Sequence, residues 1–580
     1  ADRMTMRKTP LAILVAIALV SAPQVQALTR PQQVEGPDQP QALLNYDSVH
    51  HPLISTTGMV VSQNDIASRV GAEILARGGN AVDAAVATGF ALAVTLPRAG
   101  NLGGDGFMLV HVAAENRTYA LDYRSAAPLA ARPADYDANP RDARYGYRAP
   151  GVPGTVAGLA HAHSRWGRLP WAEVVEPARR LAADGVRLSH DAAYAMSWSK
   201  GVLSRWPAGR AVFLRPDGTS RQAGDLWIQP DLAWTLGEIE RDGPDAFYLG
   251  AVADRIVASM QAHGGLITHE DLARYRPAER TPIETDYRGH RVVTMPPSSA
   301  GGVMLLELLN IVERFDLKAM GADTAASLHV MSEAMKLAQL DRTRYIGDPE
   351  FSRLPTERLI SQPYADRRSA LISTDGVLAA PSLVPGDPWE VEGVDTTHFS
   401  VVDADGNVVS NTYTLGSSFG SGAVIDGAGF LLNDQMKNFN RRMGSDGRPI
   451  TANGMEPGKR MISTMAPTIV FKDGRPWLVT GTPGGSTIPN SLFQLIVDVV
   501  DHDMNVAEAT ATPRVHQDGA TGRLQVESGL NRDTIRLLEA LGHRVEFGQT
   551  IGSTQSILIE DGALLGAADP RRPDSAAVIP

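Results

Sequence analysis

The run from Thr396 to Leu415, TTHFSVVDADGNVVSNTYTL, constrains the chain more than any other stretch, because its pattern admits one simple fold. Two segments rich in Thr, Val, Phe and Tyr flank Asp403-Ala404-Asp405-Gly406-Asn407, the signature of antiparallel strands joined by a Gly-centred turn. A fold-back centred near Asp405 or Gly406 sets Thr396 across from Thr414 or Leu415, so two threonine hydroxyls meet at one strand end. A Thr hydroxyl is a poor nucleophile until a base takes its proton, and one such base is the residue's own α-amine once the preceding peptide bond is cut. That amine has an ordinary pKa of about 7.7 to 8.0 and works near neutrality without a histidine. The plainer reading of Thr396-Thr397 is a strand start, where Thr is common.

At 580 residues, with 43% hydrophobic and 21% charged residues, the chain is long enough for one large or two ordinary cores. The net charge of -11, with no sizeable Lys/Arg cluster, gives no reason to expect nucleic acid as a partner. The absence of cysteine excludes disulfides, thiolate metal sites and a Cys nucleophile together. Arg7 and Lys8, the apolar run from Leu11 to Val20 and then Val25-Gln26-Ala27 form a secretory signal pattern over residues 1–27. Ten apolar residues are short against the roughly 20 needed to span a bilayer, so no stable membrane association and a secreted or periplasmic location are expected. Leu28 to His51, Gln-, Pro- and Asp-rich without periodicity, reads as a poorly ordered leader.

Asn64-Asp65 opens a helical pattern to Arg77, and an Ala/Val-rich helix from Ala81 to Val94 is apolar nearly all round, which demands burial. Gly100 to Gly106 precedes a strand, where a dinucleotide fingerprint would open a helix, so no cofactor is expected there. Helical patterns at 171–183, 231–241, 251–263 and 324–345 alternate with turns, and Pro381 to Glu392 reads as an exposed linker. Thr268-His269-Glu270-Asp271 resembles a helix start, since no second His completes an HExxH pattern. The other histidines lack ligand spacing, so no metal is indicated. Strands are expected at 429–433, 466–472 with 476–480, and 555–559 with 563–565, interleaved with helices at 488–500 and 532–541. Mostly antiparallel strands with interleaved helices fit two stacked sheets between helix layers.

Two short motifs compete for chemistry. Gly416-Ser417-Ser418-Phe419-Gly420 satisfies G-x-S-x-G, but that elbow needs a helix after the serine, and Gly420, Gly422, Gly427 and Gly429 follow instead. Gly481-Thr482-Pro483-Gly484-Gly485-Ser486 lies between a strand and a helix, where the amides of Gly484 and Gly485 either face a developing oxyanion or make a tight turn.

The blocks NLGGDGFM, LDYRSAAP, MPPSSAGG, MKLAQLDRTRYIGDPEF, DTTHFSVVD, YTLGSSFGSG, GFLLNDQMKNF, KRMISTMAPTIV and VTGTPGGS, running from about Gly58 to Pro570, resemble the γ-glutamyltransferase family. The resemblance implies an N-terminal-nucleophile hydrolase with a four-layer αββα sandwich, made as one inactive chain that cuts itself before Thr396. It implies a large subunit 28–395 and a small subunit 396–580 interleaved as a self-cleaved αβ heterodimer. By the same resemblance Thr414 orients the nucleophile, Gly484 and Gly485 form an oxyanion hole, and Arg124 clamps the substrate carboxylate with Ser463 and Thr464, where the family usually has two serines. Pattern alone would make Arg124 a surface salt bridge, and Ser125 departs from the acidic residue expected beside it.

The resemblance breaks where glutathione-cleaving members hold the donor's α-amine with an Asn, a Gln and an Asp. This chain has Gly416, Gln435 and Asn438, so the only carboxylate has become an amide. Asn440 to Lys459, where a covering loop lies in some members, has no Tyr and leaves room for a bulkier leaving amine. The expected activity is therefore cleavage of γ-glutamyl or glutaryl amides, with water or an amine as acceptor and no cofactor. A glutaryl cephalosporin acylase is the alternative, and an inactive exported binding protein on the same fold is the alternative from another class.

Overall fold

The computed structural model describes residues 43–44, 46–378, 395–519 and 521–580. The expected signal segment 1–27 and the linker 381–392 lie outside the described residues.

The threonine-led hairpin forms as its sequence dictates. Strands Asp395–Asp403 and Val408–Gly416 pair antiparallel from Thr396 opposite Thr414 to Val402 opposite Val408. The Asp403 carboxylate closes the turn by accepting from the amides of Asp405 and Asn407, and Gly406 supplies the positive φ of +83° that the reversal needs.

This hairpin sits inside a seven-stranded antiparallel sheet, in the order Ala576–Val578, Gly58–Ser62, Asp395–Asp403, Val408–Gly416, Asp105–Val112, Arg117–Tyr123 and Ala278–Arg280. A second seven-stranded sheet runs Leu53–Ser55, Ala563–Ala568, Gln555–Glu560, Arg475–Thr480, Thr468–Lys472, His290–Thr294 and Ile283–Tyr287.

Side-chain alternation shows how the layers stack. Val60, Met108, Val110, Phe399, Val401 and Val409 pack into one core with helices Asp65–Ala76, Ala81–Thr95, Trp171–Asp184 and Pro230–Asp242. Their strand neighbours Met59, Val61, Phe107, Leu109, Val402 and Val408 belong to a second core, shared with the other sheet and helices Ala300–Val312, Ala325–Tyr345 and Ile488–Val500. A strand buried on both faces is what a helix-sheet-sheet-helix stack requires, and the four layers are those expected. Phe399 is fully buried in the first core, and its truncation to Ala costs about 3 to 5 kcal/mol by transfer and cavity together.

Several features depart from the sequence reading, among them the strands Ile283–Tyr287 and His290–Thr294 in a region read as helices and turns. Residues 429–433 form no named strand: φ is positive at Gly427 and Gly429, and the segment makes only single bridges, Val424 with Leu431 and Gly103 with Leu432. The helix Ala300–Val312 carries no clear amphipathic pattern, because its run MLLELLNIV is apolar apart from Glu307 and Asn310 and its first turn holds Gly301 and Gly302. The edge strand Ala576–Val578 was too short for its pattern to show. Among the described residues no helix is long and apolar enough to cross a membrane.

Candidate active site

The sheet register lines up the first group of residues. Thr396 pairs with Thr414, Thr414 pairs with Asp105, and Arg124 follows the strand that pairs with Asp105's own, so the four occupy neighbouring strands at one end of the sheet. The Thr396 hydroxyl donates to Thr414 Oγ1 at 3.2 Å, and Thr414 Oγ1 also accepts from the Gly416 amide at 2.8 Å. Both hydroxyls are buried, with Thr396 5% exposed. The register shifts between Asp395 and Thr396, so the bulge falls on the peptide bond before the nucleophile candidate.

Two residues on, and on the same face of the strand, His398 points at the second sheet. Its Nδ1 lies 2.8 Å from Thr412 Oγ1 and its Nε2 3.0 Å from Ser400 Oγ, which donates to the Gln555 carbonyl at 2.8 Å. Complete burial pushes the imidazole pKa down to about 3, so His398 is neutral at pH 7. Gly481, at the exit of the strand Arg475–Thr480, is packed directly on the ring. This contact brings the Gly481–Ser486 loop to the end of the sheet that holds Thr396.

Arg124 is fully buried, and it is committed. Its guanidinium donates to Asp105 Oδ1 at 2.6 Å, to Gln435 Oε1 at 3.0 Å and to the carbonyls of Met461 at 3.2 Å and Ile462 at 2.8 Å. These bonds use four of the five N–H donors that a guanidinium carries. Asp105 Oδ1 accepts as well from Gln435 Nε2 at 3.3 Å, and Oδ2 accepts from the Ser125 amide and hydroxyl. Burial pushes the Asp105 carboxyl up, while Arg124 and Ser125 pull it back down. The acid missing at position 125 is thus supplied by Asp105 from the adjacent strand.

Gln435 and Asn438, the residues expected to face a donor amine, lie on the short turn Gln435–Asn438. Asn438 Nδ2 donates to Gln435 Oε1 at 2.8 Å, whereas the buried Asn438 Oδ1 has no hydrogen-bond partner. Asn453 Nδ2 braces the turn by donating to the Asn438 carbonyl, and Asn453 Oδ1 accepts from the Ile462 amide. Asp434 accepts from the Ser417 amide at 2.9 Å and from Lys437 Nζ at 2.9 Å, and the same ammonium reaches Ser417 Oγ at 2.5 Å. Gly416 has φ +98°, and a Cβ there would overlap Asp434 Oδ1, so this backbone excludes the Asn that the resemblance would put there.

The second sheet contributes two loops at its facing end. Thr464 Oγ1 donates to the Gly485 carbonyl at 2.7 Å, and Ser463 Oγ accepts from the Met465 amide at 3.1 Å. Gly484 at φ +137° and Gly485 at φ +58° adopt backbone that side chains disfavour. The Gly484 carbonyl accepts from Thr487 N at 3.1 Å and Thr487 Oγ1 at 2.9 Å. The held Gly484 carbonyl fixes the peptide plane that carries the Gly485 N–H, and the Pro483 carbonyl, which accepts from Thr482 Oγ1 at 2.8 Å, fixes the plane that carries the Gly484 N–H, ahead of helix Ile488–Val500.

The residues singled out in the sequence therefore fall in two connected sets: Thr396, Thr414, Arg124, Gln435 and Asn438 on the first sheet's side, and Ser463, Thr464, Gly484 and Gly485 on the second's. The Arg124 bonds to the Met461 and Ile462 carbonyls join them. Asp105, His398, Asp434 and Lys437 were missed. For Asp105 no local pattern marks the role, because its pairing with Arg124 depends on neighbouring strands.

The sequence pattern of the family described as Gamma-glutamyltranspeptidase matches residues 67–579. The "Glutathione hydrolase proenzyme" of Escherichia coli strain K12 is 44% identical over 544 residues, covering 91% of this chain and 93% of that protein. The "Acylase ACY 1 proenzyme" of Pseudomonas sp. strain SE83 is 38% identical over 530 residues, covering 89% and 92%. The crystal structure of a cephalosporin acylase from Bacillus halodurans superposes with a TM-score of 0.83 at 30% identity, covering 93% of this chain and 99% of that one.

Proposed function

The chain belongs to the gamma-glutamyltranspeptidase family and is a self-processing amidohydrolase of it, and from that premise we propose that Thr396 both cuts the chain and carries the acyl group in turnover. The carrying observation is the Thr396–Thr414 hydroxyl pair on the bulged strand start, at the sandwich end where Gly481 packs on His398.

In maturation the Thr396 oxygen bonds to the Asp395 carbonyl carbon, the C–N bond breaks, and the proton passes to nitrogen. Water then hydrolyses the ester, leaving a carboxylate on Asp395 and a free α-amine on Thr396. The pieces 28–395 and 396–580 stay together because strand Asp395–Asp403 pairs with Gly58–Ser62, and Val408–Gly416 pairs with Asp105–Val112. In turnover the α-amine takes the hydroxyl proton, the oxygen attacks the substrate amide, and the amides of Gly484 and Gly485 stabilise the oxyanion. The acyl group then passes to water or an acceptor amine. The leader pattern at 1–27 supports export, secreted or periplasmic.

The acyl pocket favours a glutaryl chain. Its carboxylate end keeps Arg124, Ser463 and Thr464, but Arg124 has one N–H to spare, so a substrate carboxylate must displace Asp105 or Gln435 to be held by two bonds. At the amine end the nearby carboxylates Asp434 and Asp105 are already paired with Lys437 and Arg124, and Asn438 Oδ1 is a neutral acceptor. An ammonium there lacks a counter-charge, at a cost of about 1 to 3 kcal/mol. γ-Glutamyl amides are thus cleaved more slowly than glutaryl amides, and a glutaryl acylase related in kind to the cephalosporin acylases is the sharper form of this reading. The inactive-binder alternative is dropped, because relatives 37–44% identical over most of the chain are hydrolases and acylases.

The test has two parts. Intact mass of the purified protein should show two pieces divided before Thr396, and brief exposure to a glutaryl anilide should add one glutaryl group to the smaller. Hydrolysis of paired γ-glutamyl and glutaryl anilides ranks the acyl groups, and a strong γ-glutamyl preference refutes the glutaryl assignment.

A further inference from the structure

We infer that His329, Glu333 and His543 form a site for one zinc-type divalent cation, clasping the segment before Thr396 to the segment after it. His329 and Glu333 stand four residues apart on one face of helix Ala325–Tyr345. His543 follows helix Arg532–Ala540, 214 residues beyond His329, a separation that hides any ligand spacing in the sequence. A ligand atom from each lies within 4.8 Å of the others, and all three residues are buried.

Outer contacts orient these groups as ligands. His329 Nε2 lies 2.7 Å from the Ser373 carbonyl, which can only accept, so that nitrogen carries the proton and Nδ1 offers its lone pair inward. Nδ1 lies 2.7 Å from His543 Nε2. The Leu378 amide donates to Glu333 Oε2 at 2.6 Å, fixing that carboxylate. With His329 Nδ1 an acceptor, His543 Nε2 must donate, and His543 Nδ1 is then a buried lone pair with no partner. Two imidazoles and one carboxylate with an open fourth position are a zinc complement, whereas calcium and magnesium prefer more oxygens.

Two features oppose the ion. Lys336 Nζ lies 2.7 Å from Glu333 Oε1, but its side chain reaches solvent and can leave the carboxylate free. Nitrogens bonded at about 2.0 to 2.1 Å around a tetrahedral ion sit roughly 3.3 Å apart, so the rings must part by about 0.6 Å. His543 itself is buried, but it follows the exposed Gly542 and precedes the short strand Arg544–Phe547, so the shift falls on a short connecting segment. The proton on His543 Nε2 moves to Nδ1 as the metal takes its place, and the ring stays neutral. After cleavage before Thr396, this clasp would hold the two pieces at a place away from the threonine row.

The test uses the full mature protein, stripped with a chelator and titrated with zinc against a chromophoric zinc indicator. One zinc per chain is expected, with affinity reduced at least about tenfold in His543→Gln and in Glu333→Gln, each checked for folding by circular dichroism. Cobalt(II) on the unaltered protein gives a reading independent of any variant, and an intense tetrahedral visible band is expected. No stoichiometric zinc uptake, unchanged uptake in His543→Gln, or only the pale spectrum of octahedral cobalt would overturn the proposal.

Discussion

Gly481 lies against the His398 imidazole so closely that a Cβ on it would overlap the ring at Nδ1 and Cε1. The ring cannot retreat, because Thr412 and Ser400 hold its two nitrogens. The distance between the Thr396 strand and the loop that follows Gly481 is therefore set by one missing methyl group. Gly481→Ala should force the two apart at about 1 to 3 kcal/mol of overpacking, and a displacement near 1 Å lowers turnover by roughly 100-fold. Cleavage before Thr396 should slow as well. Full-rate hydrolysis of a glutaryl anilide by this variant would show that the contact does not position the site.

The same histidine gives stability a pH dependence. Burial holds its pKa at about 3, against about 6.5 unfolded. Above pH 6.5 neither state binds the proton, and the contribution is fully present. Between 6.5 and 3 the unfolded chain takes a proton that the native ring refuses, so stability falls by about 1.4 kcal/mol per pH unit on this account. His398→Gln removes that slope. Urea unfolding at pH 7, 6 and 5, in the uncut Thr396→Ala background, should show the His-bearing protein losing stability more steeply by this amount; parallel slopes would place the titration elsewhere.

In the proposed scheme Thr396→Ala removes the oxygen that attacks Asp395. The purified variant should run as a single band of full mature length and be inactive, while Thr396→Ser should cut itself slowly. Two bands in the alanine variant would contradict the assignment of the nucleophile.

The hairpin, most of the longer helices and the layer order were legible because each rests on a local pattern: alternation, a Gly-centred turn, a capped amphipathic run. Thr396 could be placed opposite Thr414 or Leu415, since a turn fixes register at a distance of a few residues, and the structure pairs it with Thr414. What was hidden depends on contacts between distant segments. Asp105 pairs with Arg124 only because their strands are neighbours, and Gly481 meets His398 only because the sheets stack. Gly416 read as a lost side chain, whereas its φ and the Asp434 oxygen beside it make it a backbone requirement.

Asp105 holds the far end of the threonine row. Its Oδ1 accepts from Arg124 and Gln435, and Oδ2 from Ser125, with the pair wholly inaccessible to water. Removing one member of a buried pair leaves the other charge uncompensated, at about 3 to 5 kcal/mol. Asp105→Asn should lower the unfolding midpoint sharply while freeing Arg124 for the substrate carboxylate. A fall in KM for glutaryl anilide alongside the lost stability is the expected signature, and an unchanged KM would mean that Arg124 does not touch that carboxylate.

On the proposed reading of the pocket, Asn438 decides which acyl group is preferred. Restoring a carboxylate with Asn438→Asp supplies the counter-charge an α-ammonium lacks, and recovering about 1.4 kcal/mol is a tenfold gain in relative kcat/KM. The gain is opposed locally: Asn438 Nδ2 donates to Gln435 Oε1, and an Asp oxygen there would face that acceptor. Gln435 cannot simply turn over, because its Oε1 also accepts from Arg124 and its Nε2 donates to Asp105. The γ-glutamyl to glutaryl ratio should therefore rise by about tenfold, short of a full reversal, with part of the rise lost to a disturbed Arg124 cluster. Adding Gly416→Asn should not complete the change, since a side chain at φ +98° meets Asp434. Paired anilide kinetics on Asn438→Asp and the double variant settle it, and a ratio unmoved by Asn438→Asp would remove residue 438 from the amine end of the pocket.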